Sequence, residues 1–289
     1  MLQGSMVAVV TPMNLDGSLD ISSFRSLLDF HIENHTNGIV VVGTSGEAPT
    51  VDFDEHTFLI KEAIDFIRGR IPVIAGTGAN STKEAIFLTK QAKELGADAC
   101  LLVTPYYNKP NQNGLFEHYK AISNAVNIPQ ILYNVPSRTG VDIENETVIK
   151  LSKLINVVGI KDATGDLGRI DVLIDKVDKG FSFISGDDLT FLEFIKKGGR
   201  GVISVTANIR PNIMHSICDN MLNKKFDDAF LLNNKLSALH KAMFIESNPI
   251  PVKWLLSHMG KIKPTIRLPL IELNDKYHQV LISAFEASQ

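Results

Sequence analysis

The chain has 289 residues, of which 44% are hydrophobic and 21% are charged, and its formal net charge is −3. This is the composition of a globular protein with a large core, and the charge gives no electrostatic basis for binding nucleic acid or an anionic membrane. The sequence has no apolar run near the roughly 20 residues that a membrane-spanning helix needs, and no basic region before the apolar N-terminal segment. We therefore expect a soluble, cytoplasmic protein, in which Cys100 and Cys218 are buried thiols rather than a disulfide.

Short apolar segments alternate with longer amphipathic segments along most of the chain. The short segments predict buried strands over residues 6–12, 38–43, 72–76, 99–105, 129–136, 157–161, 181–185 and 201–205. The longer segments predict helices over residues 21–35, 54–68, 81–96, 114–126, 145–154, 167–177 and 189–196. In the third helix, Ser81 and Glu84 have capping-box spacing and Gly96 marks the end.

Eight strand–helix repeats with short connections predict an α/β fold, a (β/α)8 TIM barrel with a closed parallel sheet. An open doubly wound sheet is the alternative, but eight regular units without a break in composition favour closure. Four more helices are predicted after the last strand, over residues 212–222, 226–244, 249–258 and 275–286. We therefore expect a catalytic barrel over residues 1–224 and a C-terminal helical extension over residues 225–289, used for packing or subunit contacts.

A lysine stands near the end of the predicted sixth strand. It is Lys161, in the segment VVGIKDAT, and catalytic residues of a TIM barrel lie at the carboxyl ends of strands. Burial disfavours the charged form of a lysine, and a neutral amine is a nucleophile that forms Schiff bases with carbonyl substrates. The alternative is a structural lysine paired with a carboxylate such as Asp162 or Asp187.

Polar residues also mark the ends of neighbouring strands. Thr44 and Ser45 stand between glycines in GTSGE, where hydroxyl and N–H groups suit a carboxylate, although a glycine turn that caps the next helix has the same pattern. Tyr133 on the fifth strand is either a core aromatic or a proton shuttle beside an imine. Arg138 in the following loop is either solvated or a bidentate ligand for a substrate carboxylate.

Metal and nucleotide motifs are incomplete. His31 and His35 are four positions apart, but the segment HIENH lacks the glutamate of the H-E-x-x-H zinc motif. Gly76 and Gly78 match the first two glycines of the dinucleotide motif G-x-G-x-x-G, but Ser81 stands at the position of the third. We expect neither a metal nor a nucleotide cofactor.

The segments GTSGE, TPYYNKP, YNVPSRTG, GIKDATG and NPIPVKW together resemble the dihydrodipicolinate synthase family. The resemblance covers essentially the whole chain, from residues 9–12 to residues 267–270. GTSGE and the lysine strand are shared by the wider superfamily of pyruvate-dependent class I aldolases, which includes N-acetylneuraminate lyase. YNVPSRTG and NPIPVKW are more specific to the synthases.

The resemblance implies a lyase that works without metal or organic cofactor. It would condense pyruvate with L-aspartate 4-semialdehyde and cyclise the product, the first committed step of diaminopimelate and lysine biosynthesis. Lys161 would form the Schiff base. Tyr133, Thr44 and Tyr107 would form a hydroxyl relay, with Tyr107 reaching in from a neighbouring subunit.

The resemblance also implies substrate-binding roles and an oligomer. Thr44 and Ser45 would hold the pyruvate carboxylate, Arg138 would hold the semialdehyde carboxylate, and Gly186 and Ile203 would contribute backbone contacts. The family is typically a homotetramer of two tight dimers, and we expect the same here.

Feedback binding of L-lysine is a further implication. The matching positions are His56, Asn80, Glu84 and Tyr106. Glu84 suits an ammonium group, but Ala48, Pro49 and Phe53 replace polar residues often found at this site. We therefore expect weak or partial inhibition by L-lysine.

Two other functions share parts of this pattern. A pyruvate-dependent aldolase that acts on a sugar acid, as N-acetylneuraminate lyase does, would not need Arg138 within YNVPSRTG. A barrel that binds pyruvate-like ligands without turnover would not need the relay of Thr44, Tyr107, Tyr133 and Lys161. The complete relay favours an enzyme, and the synthase-specific segments favour the synthase.

Overall fold

The computed structural model describes residues 2–289, and within them eight parallel strands form one closed barrel in chain order. The strands are β1 (Gly4–Ala8), β2 (Gly38–Val41), β3 (Val73–Gly76), β4 (Ala99–Val103), β5 (Gln130–Asn134), β6 (Val157–Asp162), β7 (Ser182–Ser185) and β8 (Gly201–Ser204). The first strand pairs with both β2 and β8, which closes the sheet. The predicted (β/α)8 barrel is confirmed.

Helices cover the outside of the barrel and continue beyond it. The barrel helices are α1 (Ile21–Glu33), α2 (Phe53–Ile67), α3 (Thr82–Leu95), α4 (Gln112–Ala125), α5 (Pro136–Thr139), α6 (Asn145–Leu151), α7 (Gly168–Leu173), α8 (Phe191–Lys196) and α9 (Pro211–Leu222). The later helices are α10 (Phe226–Ala242), α11 (Ile250–His258) and α12 (His278–Glu286), and 3-10 turns cover Ala48–Thr50, Thr206–Asn208 and Asp275–Tyr277. Within residues 2–289 no helix is both long and apolar enough to cross a membrane.

Several predicted boundaries were wrong by a few residues. The first strand lies at Gly4–Ala8 rather than at residues 6–12, because past Ala8 the chain finds other partners: the Val10 N–H donates to the Asn208 side chain at 3.2 Å. The helix predicted over residues 189–196 begins at Phe191, because the Asp187 carboxylate accepts from the Thr190 N–H and hydroxyl and holds the preceding residues in a turn. The helix predicted over residues 167–177 is shorter, at Gly168–Leu173, and α5 was not predicted.

Apolar side chains form two layers. The interior of the barrel is filled by residues such as Met6, Val40, Ile74, Ile131 and Ile184. A larger layer between strands and helices contains the largest buried aromatics, Phe24, Tyr119 and Phe191. The barrel is therefore a packed core with room for a site only at its ends.

Both cysteines lie in the buried part of the structure. Cys100 and Cys218 are free thiols, as predicted. Burial raises the pKa of Cys100 to about 12, because the thiolate is poorly solvated there. Neither thiol is set up to act as a nucleophile.

The C-terminal extension covers part of the carboxyl end of the barrel. Its α11 contains Trp254, the only tryptophan of the chain, which stacks between His258 and His278 at centroid distances of 5.4 and 4.3 Å. The segment between α10 and α11 reaches the strand ends, where Ser247 and Asn248 line a cavity. The extension thus contributes to the barrel's functional face, which the sequence analysis did not predict.

Candidate active site

Lys161 lies near the carboxyl end of β6, with 5% of its surface exposed. Parallel pairing places it beside Tyr133 on β5, and its Nζ is 4.1 Å from the centroid of the Tyr133 ring. The face of an aromatic ring attracts a cation at this distance. The structure thus brings together the predicted nucleophile and the predicted proton shuttle.

Across residues 2–289, Lys161 has no ion pair and no side-chain hydrogen bond. The carboxylates considered as its structural partners are engaged elsewhere. Asp162 accepts from Arg169 at 3.0 Å and from the Thr164 hydroxyl at 2.5 Å, while Asp187 accepts from Thr190 at 2.6 Å. The contacts therefore do not support a structural role for Lys161 as half of an ion pair.

Gly186, directly after β7, packs against the lysine. A Cβ at this position would lie 2.8 Å from Lys161 Cε and 2.8 Å from Ala163 Cβ, closer than real Cβ contacts. Its N–H donates to the Asp162 carbonyl at 2.6 Å, so the backbone is held in place. Only glycine leaves room here for the Lys161 side chain. Ile203 on β8 lines the same cavity, so both residues predicted to give backbone contacts lie at the site.

The GTSGE turn after β2 presents two free backbone amides. The N–H groups of Gly46 and Glu47 donate back to the carbonyls of Gly43 and Thr44, both at 3.1 Å. The N–H groups of Thr44 and Ser45 find no acceptor in the described part of the chain, and both residues line the cavity beside Lys161. Consecutive free amides next to hydroxyl groups make a concave site for an anion, as predicted for a carboxylate.

The cavity at the carboxyl end of the barrel has a volume of about 360 Å³ and is bordered by the GTSGE turn, Lys161, Gly186 and Arg138. The exposed Arg138 in α5 donates from Nη2 to the Asn248 carbonyl at 3.1 Å. The buried Asn248 side chain also donates to Ser45 Oγ at 3.0 Å. One residue therefore contacts both predicted carboxylate-binding sites.

Glu47 closes the GTSGE motif, and it is buried with 3% exposure. Its carboxylate binds the ammonium group of Lys253 and accepts from the Arg267 N–H at 3.0 Å. Burial lowers the pKa of Lys253, and the attraction of Glu47 opposes that shift. Arg267 in turn binds the Glu55 carboxylate at 2.5 and 2.6 Å, and these bonds lower the pKa of Glu55. The network ties the turn after β2 to the C-terminal extension.

Sequence analysis missed the roles of Asn248, Glu47, Lys253 and Arg267. All four stand in segments that carry the family resemblance, which was the available signal. Their contacts join positions about 200 residues apart in sequence, as in the Ser45–Asn248 bond with a separation of 203. Periodicity and spacing report only on neighbours along the chain, so they do not reveal such pairs.

Tyr107 does not reach the cavity of its own chain. Its side chain is 90% exposed and its φ is +72°, an unusual conformation for a residue other than glycine. One chain therefore brings together Thr44, Tyr133 and Lys161, and the role of Tyr107 in a neighbouring subunit stays a prediction.

A second cavity, of about 330 Å³, shares Thr44 and Tyr133 with the first. Its lining also includes Ala48, Pro49 and Phe53, the positions at which we predicted apolar replacements. The second cavity therefore has a more apolar wall than the first.

Three of the four predicted effector residues line this second cavity: His56, Glu84 and Tyr106. His56 bonds the Gly76 carbonyl through Nε2 at 2.7 Å, while its buried Nδ1 is without a partner in residues 2–289. Burial lowers the pKa of His56, so the neutral ring donates from Nε2 and presents Nδ1 as an acceptor. Asn80 is not among the residues that line this cavity.

A TIM barrel with a buried, unpaired lysine beside an anion site at its carboxyl end has the arrangement of enzymes that act through Schiff bases. Within residues 2–289 no group of three or more His, Cys, Asp or Glu is placed to hold a metal ion. Residues 1–288 match the model of the dihydrodipicolinate synthetase family. The chain belongs to that family.

Similar proteins agree with this assignment over the full length. A 4-hydroxy-tetrahydrodipicolinate synthase of Cellvibrio japonicus is 56% identical over 286 residues, 99% of each chain. The crystal structure of a chloride-inhibited dihydrodipicolinate synthase of Acinetobacter baumannii complexed with pyruvate has a TM-score of 0.98 at 55% identity and covers 100% of this chain and 99% of its own. A dihydrodipicolinate synthase of Cyanidioschyzon merolae with lysine bound has a TM-score of 0.97 at 35% identity, covering 99% and 98%.

Proposed function

We propose that this protein acts as a 4-hydroxy-tetrahydrodipicolinate synthase, which condenses pyruvate with L-aspartate 4-semialdehyde and closes the product into a ring. The observation that carries the proposal is the buried Lys161 amine, which lacks an ion pair within residues 2–289 and lies between the Tyr133 ring and Gly186. Full-length relatives with this activity in their names, and a similar structure complexed with pyruvate, support it.

The first stage is imine formation on Lys161. The amine attacks the ketone carbon of pyruvate, and the ketone oxygen leaves as water, giving a protonated imine. The free amides and hydroxyls of Thr44 and Ser45 bind the pyruvate carboxylate and hold the ketone carbon against the amine. The Tyr133 hydroxyl, which has no hydrogen-bond partner among residues 2–289, transfers the protons that this stage requires.

The second stage makes a carbon–carbon bond. The protonated imine is an electron sink, so the pyruvate methyl group loses a proton and becomes an enamine. The enamine carbon attacks the aldehyde carbon of the semialdehyde. The amino group of the semialdehyde then attacks the imine carbon, which closes the ring and releases the Lys161 amine. The two substrates together lose one molecule of water, the one expelled when the imine formed.

Arg138 supports the choice of the second substrate. Its guanidinium group lines the cavity and suits the carboxylate of the semialdehyde. A sugar aldehyde without a carboxylate at this position would forgo the charge-assisted hydrogen bonds that the guanidinium offers. This argues against the sugar-acid aldolase alternative.

Borohydride trapping tests the reaction class. The protein is incubated with pyruvate, reduced and digested, and the adduct is located by peptide mass spectrometry. We expect a stable pyruvyl adduct on Lys161 and none in Lys161→Ala. An adduct on a different lysine would remove the proposed nucleophile.

Product formation then identifies the second substrate. Turnover is compared with L-aspartate 4-semialdehyde and with N-acetylneuraminate. We expect turnover only with the semialdehyde; cleavage of N-acetylneuraminate would establish the sugar-acid alternative. An adduct on Lys161 without turnover of either compound would instead indicate a ligand-binding barrel.

We further propose a homotetramer, a dimer of dimers, in which Tyr107 completes the site of a neighbouring subunit. The support is an apolar face around α2, α3 and the loop after β4. Phe53 and Phe87 are 52% and 49% exposed and meet edge to face, and Tyr106 and Tyr107 are exposed as well. Exposed aromatic clusters of this kind mark interaction surfaces. Sedimentation velocity measures the assembly, and a monomer at assay concentration would contradict it.

L-Lysine is the proposed effector of the second cavity. Glu84 lines this cavity and is an acceptor for an ammonium group, and a similar structure contains bound lysine. The apolar wall of Ala48, Pro49 and Phe53 leads us to expect weak or partial inhibition. Activity across millimolar L-lysine tests this, with Glu84→Gln as the variant that loses the effect. A flat profile in the wild-type protein would remove the effector.

Two further assignments remain proposals. We place the protein in the cytoplasm, since free thiols such as Cys100 and Cys218 are usual in a reducing compartment.

We also divide the chain into the catalytic barrel at 1–224 and the helical extension at 225–289. The contacts of Asn248 and Lys253 with the turn after β2 imply that the two parts fold together.

A further inference from the structure

We propose that Asn248 is a positioning residue that makes Ser45 a hydrogen-bond donor for the first substrate and couples the two carboxylate-binding sites. This inference rests on the proposed function, because it concerns the same cavity. Asn248 lies between α10 and α11 and is 5% exposed. Its contact with Ser45 is therefore buried, and its contact with the exposed Arg138 is partly buried.

The contact with Ser45 has a direction. Asn248 Nδ2 lies 3.0 Å from Ser45 Oγ, whereas Asn248 Oδ1 lies 3.4 Å from it. An amide nitrogen only donates, so the shorter contact makes Ser45 Oγ the acceptor. The hydroxyl hydrogen of Ser45 then points elsewhere, and the cavity beside Lys161 is where an anion would receive it.

The contact with Arg138 uses the backbone. The Asn248 carbonyl accepts from Arg138 Nη2 at 3.1 Å, which fixes one branch of the guanidinium and leaves its other N–H groups for a ligand. Among residues 2–289, Asn248 alone hydrogen-bonds the side chains of both Ser45 and Arg138. It therefore orients one donor for each substrate carboxylate.

A second contact between the same two segments keeps Asn248 next to Ser45. Lys253, in the first turns of α11, binds the buried carboxylate of Glu47, which stands two residues after Ser45. The turn after β2 and the start of α11 are thus joined at two places. Asn248 is held at a set distance from Ser45, as a positioning role requires.

The test is a double-mutant cycle on pyruvate binding. Ser45→Ala and Asn248→Ala are each expected to raise the pyruvate concentration for half-maximal imine trapping about tenfold, the effect of one lost hydrogen bond to an anion. The double variant is expected to match Ser45→Ala, because Asn248 is proposed to act only by orienting the Ser45 hydroxyl, which Ser45→Ala already removes. An additive effect of about a hundredfold, or no effect of Asn248→Ala, would overturn the proposal.

Asn248→Asp gives a second, nearly isosteric test. A carboxylate at this position accepts the Ser45 hydroxyl hydrogen and so reverses the direction of the bond. We expect a loss of pyruvate affinity at least as large as in Asn248→Ala, together with a lower melting temperature, because the new carboxylate is buried. Wild-type affinity in Asn248→Asp would contradict the proposed direction.

Asn156→Ala is the matched control. Asn156 is a buried asparagine that donates to the Ser123 and Val126 carbonyls at 2.8 and 3.3 Å, away from the cavity. Its loss is expected to lower the melting temperature without changing the pyruvate dependence of trapping; a change equal to that of Asn248→Ala would mean that general destabilisation explains both.

The trapping assay contains no semialdehyde. If the wild-type protein traps pyruvate but gives no product with the semialdehyde, the proposed function fails while the Asn248 proposal is still decided by the cycle. In turnover assays, Asn248→Ala keeps the backbone carbonyl that accepts from Arg138, so its KM for the semialdehyde is expected to change less than the pyruvate dependence of trapping.

Discussion

Lys161 is held in place by packing, since its Nζ has no hydrogen-bond or ion-pair partner among the described residues. The Tyr133 ring covers Nζ, and the backbone of Gly186 lies against Cε. A side chain held by packing keeps its nitrogen free for a substrate carbonyl. The same packing makes the position sensitive to added volume nearby.

Gly186→Ala is expected to damage imine formation more than it damages the fold. The new methyl group would lie 2.8 Å from Lys161 Cε, so the lysine must move, and a displacement of about 1 Å costs on the order of a hundredfold in rate. Gly180→Ala is the control, because a Cβ there meets nothing within 4 Å. The rate of borohydride-trapped adduct formation measures both variants, and equal rates would refute the packing argument.

Because His31 and His118 are buried, we expect the protein to lose stability in mild acid. Burial lowers the pKa of His118 from 6.5 to about 4, and that of His31 to about 3, because the imidazolium form is poorly solvated. As pH falls below 6.5, the unfolded chain binds protons that the folded chain does not. The free energy of unfolding therefore decreases as pH falls from 6.5 toward 4, by on the order of 3 kcal/mol for His118.

His118→Asn tests this dependence, since asparagine keeps an acceptor for the Thr82 hydroxyl, which lies 2.9 Å from His118 Nδ1. Thermal melts between about pH 4.5 and pH 7 should show a shallower loss of stability in the variant than in the wild-type protein. Parallel curves would mean that His118 titrates normally in the folded state.

At the residue scale, the sequence predicted which polar residues lie together at the strand ends, but not the contacts that hold them there. Lys161, Thr44, Ser45, Tyr133 and Arg138 stand at strand ends or in the loops after them, and the barrel brings such positions together by its symmetry. Asn248, Lys253 and Arg267 come from the far end of the chain, and a periodic apolar pattern does not predict their long-range polar contacts.

The C-terminal extension forms part of the candidate site, because the segment before α11 lines the cavity at the carboxyl end of the barrel. Its α11 and the segment before it bind the turn after β2 through Asn248 and Lys253. Helices and strands were predictable because burial on one or both faces imposes a regular apolar pattern. The docking of the extension was not predictable, because it depends on isolated polar pairs such as Glu47–Lys253.

Breaking the buried pair should destabilise the protein strongly. Lys253→Met leaves the Glu47 carboxylate buried and without its cation, at an expected cost of about 3–5 kcal/mol. Adding Glu47→Gln removes that charge and should restore part of the loss. Urea denaturation compares both variants with the wild-type protein, and a double variant less stable than Lys253→Met would contradict the electrostatic explanation.

At the scale of the whole molecule, the exposure of Tyr107 leaves two arrangements: an active site shared between subunits, or a site built from one chain without Tyr107. If the proposed assembly forms, each cavity combines Lys161 of one subunit with Tyr107 of another. If the protein works as a monomer, Tyr107 has no access to Lys161, since it is 90% exposed on its own chain.

Mixing two inactive variants distinguishes these cases. Tyr107→Ala and Lys161→Ala each spoil a different part of the shared site. After mixing under conditions of subunit exchange, half of the dimers are mixed and each contains one intact site, so about a quarter of wild-type activity should return. Lys161→Ala mixed with Lys161→Arg is the control without an intact site. No recovery despite exchange would mean that Tyr107 does not complete the site of a neighbouring subunit.

The stack of Trp254 between His258 and His278 has a spectroscopic consequence. As the only indole of the chain, it is the source of the long-wavelength intrinsic fluorescence, and the two imidazoles fix its surroundings. It adjoins Lys253, whose ammonium group binds Glu47 at the turn beside the cavity. Its emission therefore reports whether the extension remains seated on the barrel, so detachment of this one region can be followed without attaching a dye.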